Sequence, residues 1–241
     1  MKTSIKCKIC SSDSFFFGIC DFNKNCEERK GYFLPISGKA VYYFKCSHCG
    51  LIFTTYFDKF SPDMFEKEIY NKDYKDVDPD FEELRPNAFA TLLLKNFNIE
   101  KNLDILDYGC GDGKFIENLT HYGFSNVKGY DPYSKEFFTK PQNKFSLISS
   151  FEVFEHVTDP IELIKDIISL KKPKGTILFS TLLTPKNIDQ IGVNWWYISP
   201  RNSHITIYTQ KSLSILFSHF GMKVKHFNQN LHLAYWFLIF F

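Results

Sequence analysis

No stretch constrains this chain more than Leu106-Asp107-Tyr108-Gly109-Cys110-Gly111-Asp112-Gly113-Lys114-Phe115. The apolar run Leu103-Asp104-Ile105-Leu106 leads into it with the length of a buried strand, and Phe115, Ile116 and Leu119 follow at helical spacing. A strand that stops at an acid, turns through three glycines and opens a helix is the first half of a nucleotide-binding βαβ unit. The glycines let the backbone approach a ligand closely, and the helix start offers unpaired N–H groups to an anion. A glycine-rich turn without a ligand is the plainer reading; the strand and helix on either side weigh against it.

Spacing narrows the ligand. A dinucleotide fingerprint runs G-x-G-x-x-G, whereas Gly109, Gly111 and Gly113 run G-x-G-x-G, so an NAD-dependent enzyme is disfavoured. A second strand, Asn126-Val127-Lys128-Gly129-Tyr130, ends at Asp131, where a carboxylate is placed to accept from two ribose hydroxyls. The D-x-G-x-G-x-G run with an acid after strand two resembles the class I S-adenosylmethionine (SAM) methyltransferases, over roughly the last two-thirds of the chain. The resemblance implies an α/β, Rossmann-like, mostly parallel seven-stranded sheet closed by a C-terminal antiparallel hairpin. It also implies that Gly109 and Gly111 lie against the methionine end of SAM, Asp131 holds the ribose, and Asp107 shapes the loop near the amino group.

The N-terminal third carries a different signal. Of seven cysteines, Cys7-Lys8-Ile9-Cys10 and Cys46-Ser47-His48-Cys49-Gly50 form two C-x-x-C knuckles. Two residues between thiolates let both sulfurs reach one tetrahedral ion, and two such pairs complete a closed zinc site. A closed site has no open position, so the zinc is expected to be structural, a staple for a small module. A redox dithiol is the competing reading, and it lacks a thioredoxin-like context. Cys20 and Cys26 are too loosely spaced, and Cys110 lies in the glycine loop, so none is assigned a metal.

After the second knuckle come an apolar strand, Leu51 to Thr55, and a helix opened by Ser61-Pro62-Asp63 toward Tyr70 and Tyr74. This order is similar to bacterial methyltransferases with a zinc ribbon in front, which implies an aromatic lid over cofactor or acceptor; Tyr74 is the candidate. Both tyrosines equally suit plain packing between modules. The polar, proline-broken Asp76-Val77-Asp78-Pro79-Asp80 reads as a linker, dividing a module at 1–75 from a methyltransferase domain at 76–241. A helix is expected from Arg85 to Phe97.

Composition excludes more than it identifies. Twenty-nine basic against 27 acidic residues leave a net charge of +2, without the basic surplus of a dedicated nucleic-acid binder. No apolar stretch of signal-peptide length precedes Cys7. The run Leu233 to Phe241 is too short to span a bilayer and reads as the last buried strand. A cytoplasmic location with reduced thiols is therefore expected, with no membrane insertion.

Beyond Asp131 only a short interval precedes the next strand, Phe145 to Phe151, so the residues around the adenine cannot be assigned. That strand runs into Glu152-Val153-Phe154-Glu155-His156-Val157-Thr158-Asp159-Pro160, where Asp159 suits an N-cap and Pro160 the first helical position. Glu152 to His156 then occupy the carboxyl end of a central strand, where open α/β sheets bind ligands. The stretch resembles the E-V-x-E-H-x-x-x-P segment of many SAM-dependent methyltransferases. Histidine takes a proton near neutrality, so His156 is the candidate base for a hydroxyl acceptor, with Glu155 orienting it. In small-RNA 2′-O-methyltransferases and ubiquinone-pathway O-methyltransferases a similar E-x-x-E-H binds a divalent cation. By that resemblance Glu152, Glu155, His156 and the further candidate His204 would hold Mg²⁺ or Mn²⁺.

A helix, Ile161 to Leu170, and a turn at Pro173-Lys174-Gly175 lead to a strand at Thr176 to Thr181. The loop Val193 to His204 holds Trp195, Trp196, Tyr197, Arg201 and Asn202, an odd core but a reasonable acceptor cleft, with aromatic faces for a ring and Arg201 for an anion. W-W-Y-x-x-P-R-N-x-H is similar to a segment of methyltransferases from bacterial surface-polysaccharide clusters. Anchoring of an insertion onto the sheet is the alternative for the tryptophans. A helix, Gln210 to Phe220, and strands at Met222 to Phe227 and Leu231 to Phe240 close the chain.

Together these features point to a SAM-dependent O-methyltransferase acting on a sugar, nucleotide-sugar or glycan precursor. C-methylation of a nucleotide-activated keto-sugar is the rival within the class, and a non-catalytic zinc-module adaptor the rival outside it.

Overall fold

The computed structural model describes residues 4–236. Strands β1 (Ile5–Lys6), β2 (Asp13–Asp21), β3 (Ala40–Cys46) and β4 (Ile52–Thr54) pair antiparallel in that order. Along β3, Val41 and Tyr43 are buried while Ala40 and Tyr42 face solvent, the two-residue period of a half-covered sheet. Helix α1 (Pro62–Glu68) begins at Ser61, whose hydroxyl accepts from the Met64 N–H. Helices α2 (Tyr74–Val77) and α3 (Leu84–Asn96) follow. The Asp76–Asp80 stretch expected as a linker is thus partly helical, and Asp78 accepts from the Tyr74 hydroxyl at 3.2 Å.

The core alternates β5 (Ile105–Tyr108), α4 (Lys114–His121), β6 (Val127–Tyr130), β7 (Phe145–Ser150), α5 (Pro160–Ser169) and β8 (Lys171–Ser180). After α6 (Ile188–Ile191) and β9 (Thr206–Ile207), α7 (Gln210–Ser218) leads to the hairpin β10 (Met222–His226) and β11 (Leu231–Trp236). The sheet order is β10-β11-β8-β7-β5-β6, parallel from β8 to β6 and antiparallel at β11 and β10. All four residues of β5 are buried, as a strand covered on both faces requires. Asp159 caps α5 as its sequence position implies, its side chain accepting from the Ile161 and Glu162 N–H groups.

Two expectations are corrected. Among the described residues the sheet has six strands rather than seven, because the interval after Asp131 forms a loop. That loop folds back on itself, the Asp131 N–H donating to the Phe137 carbonyl, and Phe137 fills the space beside Gly113 and Gly129. Pro173-Lys174-Gly175 does not turn the chain but lies within β8, at a register shift against β7 that Gly175 permits by lying close to the Phe145 and Ser146 carbonyls. The last strand is described from Leu231 to Trp236; the remainder of its expected span, 237–240, lies outside the described residues.

The two sheets share a segment. β9 pairs with β4, Ile207 opposite Ile52 and Thr206 opposite Phe53, so the N-terminal sheet takes its fifth strand from the C-terminal half. The knuckles are tied down at the same end: Thr209 Oγ1 donates to the Cys49 carbonyl at 2.7 Å, and His219 Nε2 donates to the Ile9 carbonyl at 2.9 Å. Cys7, Cys46 and Cys49 pack in one apolar cluster with Phe53, Phe154 and Phe217. Phe154 is fully buried, stacked on Phe179 at 4.3 Å between ring centroids and facing Phe217 at 6.1 Å. We predict that Phe154→Ala costs about 3–5 kcal/mol, read as a lower urea midpoint with an unchanged slope; a loss below about 1 kcal/mol would mean the rings do not hold this junction.

Candidate active site

The glycine loop leaves β5 with Gly109 at φ +79°, Gly111 at +54° and Gly113 at +79°. A Cβ on Gly109 would stand 2.3 Å from Val153 Cγ2, so close approach to the β7 loop requires glycine there. Over Gly111, by contrast, a Cβ would meet nothing within 4 Å, and the backbone borders a cleft of about 1010 Å³. Asp131 stands at the tip of β6 beside this loop; its Oδ2 accepts from the Gly111 N–H at 3.0 Å and its Oδ1 from the Tyr133 N–H at 2.8 Å. Asp107 is buried at the end of β5, accepting from the Ser149 hydroxyl at 2.9 Å. Burial, then the nearby Asp131 charge, pushes its carboxyl up to about 7.

The opposite wall of the cleft is the carboxyl end of β7. Glu152 stands in the left-handed region at φ +55°, its N–H donating to Ser180 Oγ and its Oε1 accepting from that hydroxyl at 2.6 Å. Its Oε2 accepts from Arg85 Nη1 at 3.3 Å, and Arg85 also pairs with Asp78. Burial, with the Glu155 charge next, pushes the Glu152 carboxyl up to about 7. Glu155 is fully buried and accepts from the Tyr197 hydroxyl at 2.5 Å. His156 lines the cleft, with Nδ1 2.9 Å from Ser203 Oγ, which lies 3.1 Å from the Tyr70 hydroxyl. Burial pushes its imidazole down to about 4, so the ring is neutral at pH 7.

The glycine loop, Asp107, Asp131, Tyr74 and His156 therefore border one cleft, while other expected residues lie elsewhere. His204 is buried behind His156, donating from Nδ1 to the Tyr197 carbonyl at 2.7 Å, because a carbonyl only accepts. Trp195, Trp196, Tyr197, Arg201 and Asn202 do not line the cleft; this segment fastens the N-terminal sheet. Lys24 Nζ donates to the Trp195 and Ile198 carbonyls, and Arg29 stacks 4.0 Å over Trp196. Arg201 donates to the Ile69 carbonyl and to Asn71 Oδ1, and Asn202 joins the Cys26 N–H to the Val77 carbonyl. Arg201 also borders a separate cavity of about 410 Å³, apart from the glycine-loop cleft. Sequence reasoning missed Arg85, Ser149 and Ser203, which sit in no motif and become neighbours of the site only on folding. Tyr133, noticed only as part of the short interval, borders the cleft as well.

Two metal sets can be tested on geometry. Cys7 Sγ lies 3.6 Å from Cys49 Sγ and Cys10 Sγ 3.5 Å from Cys46 Sγ, with all four within 4.8 Å of one another. A tetrahedral zinc–thiolate site has sulfurs about 3.8 Å apart. Backbone N–H groups of Ile9, His48 and Cys49 also point at the sulfurs, favouring thiolates, so the set fits zinc. In the second set Glu155, His156 and His204 converge within 4.8 Å, but Glu152 is held away by Ser180 and Arg85. One carboxylate with two imidazoles does not fit Mg²⁺, which needs oxygen ligands; the expected four-residue Mg²⁺ set is not assembled.

The raised carboxyl of Asp107 gives a signed prediction. Its folded form keeps a proton up to about pH 7 while the unfolded form loses it near 4, so this group's contribution to stability falls as pH rises through that window. Asp107→Asn is expected to raise the melting temperature of the ligand-free protein at pH 8 but not at pH 5. Equal shifts at both values would contradict a buried charge.

Residues 81–226 match the family model described as a methyltransferase domain, more than half of the chain. Among curated relatives, a ubiquinone biosynthesis O-methyltransferase of Coxiella burnetii is 31% identical over 105 residues, 34% of this chain and 44% of the relative. One of Rickettsia bellii is 27% identical over 150 residues, 50% of this chain and 61% of the relative. The chain thus spans about half the length of the curated relatives it matches. Among solved structures, an O-methyltransferase family protein from Burkholderia thailandensis superposes with TM-score 0.55 at 11% identity, covering 73% of this chain and 63% of that one. The calicheamicin biosynthesis methyltransferase CalO1, with SAH bound, gives 0.50 at 11% identity, covering 76% and 63%. With its glycine loop, strand-tip acid and sheet order in place, this chain belongs to the class I SAM-dependent methyltransferase domains.

Proposed function

We propose that the protein methylates a hydroxyl of a small ring-shaped acceptor, of the sugar or nucleotide-sugar class, with His156 as base. One observation carries this reading: a single cleft is lined by the glycine loop, Asp131, His156, Tyr70 and Tyr133, with the Tyr70 ring 6.5 Å from that of His156 and 6.3 Å from that of Tyr133. When bound, SAM supplies an electrophilic methyl group. Gly109 and Gly111 admit its methionine part, Asp131 offers two carboxylate oxygens to the ribose, and Arg85 faces the same space with a cation suited to a carboxylate. Asp107 and Glu152 supply negative charge for an ammonium group, and a cationic ligand draws both toward ionisation. The chain's further work is alignment and one proton transfer. His156, neutral at pH 7, takes the hydroxyl proton, and the aromatic faces of Tyr70 and Tyr133 hold the acceptor ring.

A phenolic acceptor is the second reading, favoured by the curated relatives named ubiquinone biosynthesis O-methyltransferases. A first-row cation such as Mn²⁺ on Glu155, His156 and His204, favoured by their convergence, would polarise either hydroxyl. Screening nucleotide-sugar and phenol pools for SAM-dependent mass gain separates the acceptors, and repeating active assays with chelator and then Mn²⁺ tests the ion. Solvent deuterium entering a keto-sugar without SAM would instead favour C-methylation, and failure to bind SAM by calorimetry would favour the adaptor. No helix among the described residues is long and apolar enough to cross a membrane.

His156→Ala is expected to lower kcat by at least about 10²-fold while leaving the calorimetric Kd for SAM within about twofold; an active variant removes His156 from the chemistry. The four-cysteine set is proposed to hold one structural zinc. Elemental analysis of the purified protein should give one zinc per chain, and Cys46→Ser should lose it and melt at a lower temperature. A wild-type protein purified without zinc and melting unchanged in chelator would end that assignment.

A further inference from the structure

We propose that the cavity beside Arg201, apart from the glycine-loop cleft, binds a phosphorylated sugar, the chemistry shared by sugar phosphates and nucleotide-sugars. This deepens the acceptor reading given above and rests on it for its functional meaning.

Of the 29 basic residues only three are arginine: Arg29, Arg85 and Arg201. A chain that otherwise relies on lysine keeps arginine where a planar fork of donors matters. Arg29 is exposed and lies 3.8 Å from Glu27, and Arg85, partly exposed, pairs with Asp78 and Glu152. Arg201 is the most buried of the three at 6% exposed, yet among the described residues no carboxylate lies within 4.0 Å of its nitrogens. Its guanidinium spends two of five N–H donors, on the Ile69 carbonyl at 2.9 Å and on Asn71 Oδ1 at 3.1 Å. The others find no acceptor among the described residues, and the side chain borders a cavity of about 410 Å³. A buried cation without a counterion is costly. An anionic group entering the cavity supplies one, and a phosphate suits the fork.

The remaining walls say what carries the anion. Lys67 adds a cation at the rim, and Glu68 is neutralised by Lys39 at 2.9 Å. Asp73 and Asp76 also border the cavity, so a bare anion would meet their repulsion. A sugar meets them with hydroxyls, which donate to carboxylates. Tyr32, 41% exposed, offers a ring face to the C–H side of the sugar. Its loop is set before any ligand arrives. The Asp21 carboxylate accepts from the Asn23 N–H, the Ser37 N–H and hydroxyl, and the Gly38 N–H, at 2.8 to 3.0 Å.

Asn71 borders both this cavity and the glycine-loop cleft. Its Oδ1 accepts from Arg201 and from the Asp73 N–H at 3.1 Å, and its Nδ2 donates to the Lys67 carbonyl at 3.0 Å, so the partition is fixed. A ligand anchored by phosphate on Arg201 can run past Asn71 toward Tyr70, its neighbour in the chain and in the cleft.

With three arginines, ¹⁵N-arginine-labelled full-length protein gives three Nε–H signals, which Arg29→Lys and Arg85→Lys assign by elimination. Aldose 1-phosphates and nucleotide-sugars, added one at a time, should move the Arg201 signal and leave that of Arg29 in place; the tighter class identifies the source. Inorganic phosphate and methyl glycosides should bind at least about tenfold more weakly. Arg201→Lys keeps the charge but loses the fork, and its calorimetric Kd for the tightest probe should rise at least about tenfold. Tyr32→Ala, at an exposed position, should melt with the wild type and raise that Kd about fivefold. An Arg201 signal unmoved by every phosphorylated sugar at about 10 mM, or moved as far by inorganic phosphate, overturns the proposal. SAM added separately should move the Arg85 signal, because Arg85 lines the cleft; failure there would count against the methyltransferase reading and leave the Arg201 result standing.

Discussion

The turn after β7 buries a carboxylate and an imidazole side by side, and it can do so only because the 195–207 segment supplies their partners. Tyr197 donates to Glu155, Ser203 meets His156, and the Ile205 N–H donates to the Glu155 carbonyl at 2.7 Å. The next two residues, Thr206 and Ile207, are β9, the edge of the other sheet. One segment therefore meets polar atoms of both Glu155 and His156 and joins the two sheets. Neither task separates from the other: a burial of this kind without partners costs about 1–3 kcal/mol per polar group, more for a charged one.

The two ends of the cleft differ in their electrostatics. Burial first, then the Asp131 charge beside Asp107 and the Glu155 charge beside Glu152, lets the Asp107 and Glu152 carboxyls keep protons at pH values where exposed acids have lost them. Ser149, Ser180 and Arg85 offset part of that cost. At His156 the sign reverses, and burial removes charge by holding the ring neutral.

Local chemistry was the legible portion of the sequence. The glycine spacing, the Asp159-Pro160 helix start and the paired knuckles each express their structure within a few residues, and each formed as those residues dictate. The cleft wall at Glu152–His156 was legible because the strand before it could be placed. The aromatic loop was less legible because its composition suits a ligand and a module interface alike; its partners Lys24, Arg29, Ile69 and Val77 are distant in sequence and pair with it only on folding. Arg85 and Ser203 were silent for the same reason, and the loop after Asp131 was shorter than a strand and helix need.

The loan of β9 to the N-terminal sheet also bears on how the chain is made. Residues 5–54 leave the ribosome before the core does, yet their sheet has an open edge at β4 until residues 206–207 arrive. Synthesis adds about 5–20 residues per second, so that edge waits roughly ten seconds or more for its neighbour. The N-terminal sheet is thus completed only after β5 to β8 of the core have been made, and until then it stands as an uncapped β-edge that a nascent-chain chaperone would be drawn to.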